Sequence, residues 1–145
     1  MDNNILIQEL TNKDDKKAYE YAKKISIESS KTNKYVDMID DFASMLQDKS
    51  SFIRTRFFIL ICDQARWANK GQIEGVFEKM KPLLNDPKPT VVRQCLNALH
   101  EVAIYRPELS DTIYNEISKI DLSIYKDTMA PLIKKDIDEL IKIVE

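Results

Sequence analysis

Only two glycines, Gly71 and Gly75, occur in the 145 residues, and they fall in one short region. An all-β chain with many tight turns is therefore excluded, and long stretches are free of helix-breaking residues. The two cysteines, Cys62 and Cys95, cannot build a disulfide framework and are expected to fill hydrophobic space. The single histidine, His100, has Glu101 beside it rather than on its own helix face, so no HExxH-type metal pattern exists. Also missing are a glycine-rich phosphate loop, a GxSxG elbow and a dinucleotide fingerprint. No catalytic residue, metal or cofactor is expected. The richest apolar run, 57–62, is far shorter than the roughly 20 residues of a membrane span. The first residues, MDNNILIQEL, lack the basic head and apolar length of a secretory signal. Those absences leave a cytoplasmic location as the default and no membrane partner.

What is present is a chain with 43% hydrophobic residues, enough for a real core in one domain. Its net charge of -2, from 22 basic and 24 acidic side chains, carries no global bias toward nucleic acid or membrane. Helical periodicity is clearest at 86–109. Val92, Leu96, Leu99 and Ala103 share one face, Pro87 and Pro89 precede the helix, and Pro107 marks its end. A shorter amphipathic helix at 72–84 precedes it, and the two make a helical hairpin.

The same pairing recurs. Residues 35–46 form one amphipathic helix, 48–50 a turn and 51–68 a second helix, in which Ile53, Phe57, Leu60 and Gln64 repeat the stripe at a shift of 39 residues and Arg54 falls onto Arg93. An ungapped displacement of 41 residues brings Asp86 onto Asp127, Val92 onto Ile133 and Arg93 onto Lys134, after a helix at 108–120. Ala18, Ala22, Ile25 and Ser29 match more weakly at a shift of 35. The expected division is a degenerate N-terminal repeat at 1–34, repeats at 35–71 and 72–106, and a C-terminal capping repeat at 107–145.

The segment D-P-x-x-x-V-V-R and its apolar stripe, recurring about every forty residues, resembles the HEAT-repeat family. The motif stands in full at Asp86, Val92 and Arg93, partly at Asp48, Ile53 and Arg54, and more weakly at Asp127, Ile133 and Lys134. The resemblance implies an all-α fold, a short right-handed α-α superhelix of HEAT-like hairpins, acting as a scaffold. It also implies structural roles for Asp48, Asp86 and Asp127, tightening the turns, and for Arg54, Arg93 and Lys134, reaching acids in adjacent repeats. In such a family the second (B) helix of each hairpin lines the concave side.

Charge divides between the helix layers. The first (A) helices are acidic, with Asp37, Asp40, Asp41 and Asp48 in one, while all five arginines lie in or at the end of two successive B helices. That pattern points to a mildly basic face for another protein with an acidic surface or peptide. Arg56, Arg66, Trp67, Tyr105 and Arg106 are the candidate partner-binding residues, since tryptophan, tyrosine and arginine are enriched at binding hot spots. Nucleic acid is the alternative partner. A DNA-glycosylase-like site at Asp63, Arg66 and Trp67 and a structural, self-associating homodimer are the other readings.

Overall fold

Aspartates set the turns between the helices. In the computed structural model, which describes residues 3–145, the α-helices are α1 (Asn3–Leu10), α2 (Asp15–Ser29), α3 (Ile39–Ala43), α4 (Ser51–Asp63), α5 (Glu74–Met80), α6 (Pro89–Tyr105), α7 (Ser110–Ser118) and α8 (Ala130–Val144). Between successive partners, a carboxylate oxygen accepts the backbone N–H two residues on: Asp14 from Lys16 (3.2 Å), Asp48 from Ser50 (2.9 Å), Asp86 from Lys88 (3.0 Å) and Asp121 from Ser123 (3.0 Å). A short acceptor at this position closes the turn on its own side chain and leaves the next residues free to start a helix. No strand occurs among the described residues.

The helices form an α-solenoid of hairpins. Helices α2, α4, α6 and α8 lie side by side as the B layer, with α1, α3, α5 and α7 on its other side. The core fills the space between the layers, centred on Phe42, Phe57, Phe58, Leu60, Leu96 and Leu99, each with 0% of its surface exposed. Phe42 of α3 meets Phe57 of α4 in a tilted ring pair with centroids 5.8 Å apart. Burying each such side chain contributes about 1.5–3 kcal/mol against the unfolded chain, which is why two thin layers hold. Cys62 and Cys95 are buried free thiols, and burial pushes both well above the usual thiol range. They pack, as expected.

Three helices are shorter than their apolar periodicity predicts, the first being that at 35–46, which is a 3-10 turn over Val36–Met38 and α-helical only over Ile39–Ala43. The segment at 72–84 is α-helical only to Met80 and continues as a 3-10 turn over Lys81–Asn85, because Pro82 has no N–H to give to Glu78. The helix predicted at 51–68 stops at Asp63. Gln64 places its side-chain amide on the Leu60 carbonyl (3.2 Å), the acceptor its own backbone N–H would use in an α-helix, and that N–H turns to Ile61 instead (3.0 Å). The same amide donates to Ser29 Oγ (3.0 Å), which ties α4 to α2. No helix among the described residues is long and apolar enough to cross a membrane.

Candidate functional site

The N-terminal ends of the B helices carry the arginine motif. Arg54 donates through Nε (3.2 Å) and Nη2 (2.9 Å) to Asp86 Oδ2, and through Nη1 to the Asp48 and Lys49 carbonyls (3.0 and 3.1 Å). A single guanidinium thus joins its own turn to the turn of the next hairpin, a use suited to its planar fork of donors. Arg93 makes the corresponding reach, to Asp136 (2.7 and 3.4 Å). Asp136 lies on α8. The expected equivalent, Asp127, is exposed and makes no hydrogen bond or ion pair among the described residues, while Lys134 pairs along its own helix with Asp138 (2.6 Å). The turn before α8 is longer than the others: Asp121 tightens it, and Tyr125 folds in to donate to the Asp86 carbonyl (2.8 Å). The ungapped shift of 41 residues nevertheless holds along the helix, with Pro89 of α6 falling on Ala130 of α8 and Val92, Leu96 and Leu99 on the buried Ile133, Ile137 and Leu140; what it does not carry over is the partner of the arginine.

At the opposite ends, the B helices are tied by donors from the following repeat. Trp67 Nε1 donates to Ser29 O (2.6 Å), Arg66 Nη1 to Ser30 O (2.7 Å) and Arg106 Nη1 to Ala68 O (2.6 Å). The last carbonyls of a helix have no partner within it, so the bonds to Ser29 and Ser30 place a donor and a cation at the negative end of α2, while Arg106 bonds the turn that follows α4. Trp67 and Arg106 are the same repeat position, 39 residues apart, and each reaches 38 residues back. The Arg66 guanidinium also lies 4.7 Å from the Tyr105 ring centroid. Arg56 is different: it is only 8% exposed, donates to the Leu10 carbonyl (2.8 Å), and burial pulls its pKa down despite Asp15. The structure therefore brings Arg66, Trp67, Tyr105 and Arg106 together at one edge and sets Arg56 apart, beneath the B-layer surface.

Each of the five arginines has a carboxylate within 4 Å: Arg54 has Asp86 (2.9 Å), Arg56 has Asp15 (3.9 Å), Arg66 has Glu101 (3.9 Å), Arg93 has Asp136 (2.7 Å) and Arg106 has Glu108 (3.4 Å). The arginine charge read along the B helices is locally matched.

A groove of about 410 Å³ crosses α2, α4 and α6. Tyr19, Phe52 and Ile59 line it with Thr55, Thr90 and Val91; Tyr19 is 61% and Phe52 65% exposed. Both lie off the buried stripes of their helices, the one signal by which sequence could have found them. The groove shares Tyr19, Ile59, Thr90 and Gln94 with an adjoining depression of about 860 Å³ that holds Asp63, Arg93, His100, Glu101 and Asp136. Within it, Asp63 accepts a hydrogen bond from Ser26 across the α2–α4 boundary (2.5 Å) and has no cation within ion-pairing distance among the described residues. Burial, with the Glu101 charge adding, raises its carboxyl to about 6, against the lowering effect of the Ser26 hydroxyl. Among the described residues no cluster of three or more histidine, cysteine or acidic side chains could hold a metal.

An open groove on a helical stack, with the arginines of the layer matched, suits contact with another macromolecule rather than chemistry. The family model for non-SMC mitotic condensation complex subunit 1 matches residues 26–139, more than three quarters of the chain. The chain belongs to that family. The match confirms the HEAT-like α-solenoid and a non-catalytic, protein-binding scaffold role. For this condensation-subunit chain the glycosylase-like reading lapses, since Asp63, Arg66 and Trp67 are each bonded to α2. The cytoplasmic expectation is corrected too: a family of mitotic condensation subunits implies the nucleus. No curated protein and no solved structure matches the chain.

Proposed function

We propose that the chain holds another subunit of a mitotic condensation complex on its B layer, as one array of hairpins divided near residues 34, 71 and 106. The supporting observation is the exposed pair Tyr19 and Phe52 over an apolar groove formed by three successive B helices. Large apolar side chains gathered in a concave surface mark a contact site, because water is displaced from both partners on binding. Arg66 and Tyr105 form a second contact at the edge, as a stacked cation and ring. Trp67, Arg106 and Arg56 support that surface through their main-chain bonds.

The test is affinity isolation of the tagged chain from mitotic cells, with the complex's subunits quantified by mass spectrometry. Phe52→Asp should reduce their recovery at least tenfold with helical content unchanged, and Arg66→Glu should reduce it less. Undiminished recovery with Phe52→Asp would overturn the groove as the docking surface.

A further inference from the structure

We infer that the groove takes a protein segment in which an apolar side chain, aromatic or branched, is followed closely by a lysine or arginine. The apolar group seats against Phe52, Tyr19 and Ile59; the cation meets Asp63 and Glu101. This deepens the reading of the groove as a docking surface and rests on it.

Continuity comes first. Tyr19, Ile59, Thr90 and Gln94 border both halves of the depression, so one short segment spans them. Charge then separates the halves. The apolar half carries Lys23 and the buried Arg56 and no acid, whereas the adjoining half is lined by three carboxylates, Asp63, Glu101 and Asp136, against the single arginine Arg93. Arg93 is held by Asp136 at 2.7 Å, and the nearest approach of Arg66 to Glu101 is 3.9 Å. Asp63 has only a hydroxyl. An occupant that brings a cation gives this carboxylate the partner the fold lacks, and a phosphate backbone would meet the wrong sign.

Asp63 meets Ser26 of α2 and shares its half of the depression with Arg93, His100 and Glu101 of α6 and Asp136 of α8; Lys23 of α2 lines the other half, and Arg66, beyond the end of α4, approaches Glu101. With no cation supplied, the Asp63 carboxyl stands near 6; a bound lysine or arginine draws it down, so binding weakens as the solution is acidified through that value. Apolar anchoring in the other half does not depend on pH.

The full chain is panned at pH 7.5 against a phage-displayed library of random dodecapeptides, and enriched sequences are synthesised with a fluorophore and titrated by anisotropy. Enriched peptides are expected to carry an apolar residue closely followed by lysine or arginine. Phe52→Asp, or Tyr19→Asp should the first variant fold poorly, weakens them at least tenfold. Asp63→Asn keeps the Ser26 hydrogen bond and weakens them by about tenfold, the scale of one close charge pair. Acidification to pH 5 weakens the wild type and not Asp63→Asn, with His100→Gln as the control that separates the imidazole. Enrichment of acidic peptides, failure to enrich any, or competition by a short DNA duplex overturns the inference. Sensitivity to Phe52→Asp without sensitivity to Asp63→Asn overturns the occupant's chemistry and leaves the docking surface standing. Indifference to both removes the two together.

Discussion

The α4–α6 boundary and the α6–α8 boundary are each closed by one arginine on one aspartate, yet they are built differently. At the first, Asp86 sits in the inter-helix turn, 6% exposed, and serves three ends at once: it receives Arg54, accepts the Lys88 N–H and offers its carbonyl to Tyr125. At the second, Asp136 is a mid-helix residue, 19% exposed, whose side chain receives Arg93 alone. At the α2–α4 boundary the arginine is the buried Arg56, with Asp15 at 3.9 Å, and Asp63 meets a hydroxyl and no guanidinium. A repeat motif thus reports that a boundary is tied, while the burial of the carboxylate decides how much the tie stabilises.

The largest expected effect is at Asp86. Asp86→Ala leaves Arg54 partly buried without its carboxylate and opens the turn before α6, and losing one partner of a buried pair costs about 3–5 kcal/mol. Urea unfolding at pH 7.5, followed by circular dichroism, measures it. A loss no greater than that of Asp136→Ala would break the distinction between the two boundaries.

Asp63 gives the next effect, of opposite sign. Its folded carboxyl, near 6, lies above the ordinary value of 3.8, so the native state binds the extra proton: the associated stability is full below about 3.8 and is lost as pH rises through 6. Asp63→Asn, which removes the charge and keeps an acceptor for Ser26, should therefore raise stability at pH 7.5 by about 1–2 kcal/mol. The gain should vanish below pH 4. A variant less stable at pH 7.5 would show that Asp63 is paired in solution, and a gain that persists in acid would show that its charge is not the cause.

How far these boundaries were legible in the sequence depends on distance along the chain. Asp48, Asp86, Arg54 and Arg93 could be read because turn and helix start lie within a few residues of one another. Equivalence of Trp67 and Arg106 follows from the shift of 39 residues, although what each bonds is a carbonyl and carries no sequence signal. The groove was not legible. Tyr19, Phe52 and Ile59 become neighbours only when α2 and α4 pack side by side, and a basic face was expected because carboxylates from other helices cannot be placed opposite the arginines by composition alone. Asp127 was assigned by an ungapped displacement that holds for the buried stripe of α8 but does not predict contacts: Asp121 tightens the turn and Arg93 reaches Asp136 on α8 instead.

That reassignment yields the smallest and most discriminating measurement. Asp136→Ala removes the acceptor of Arg93, a guanidinium 37% exposed that water can still solvate, so the expected cost is about 1 kcal/mol, well below that at Asp86. Asp127→Ala touches no bonded partner; it loses only a carboxylate near the start of α8, within about 0.5 kcal/mol of no change. The double variant Arg93→Ala with Asp136→Ala should cost less than the sum of its single changes, because the two share one interaction, whereas Arg93→Ala with Asp127→Ala should be additive. Additivity in the first pair with coupling in the second would restore the turn aspartate as the partner of Arg93 and make the last two boundaries alike.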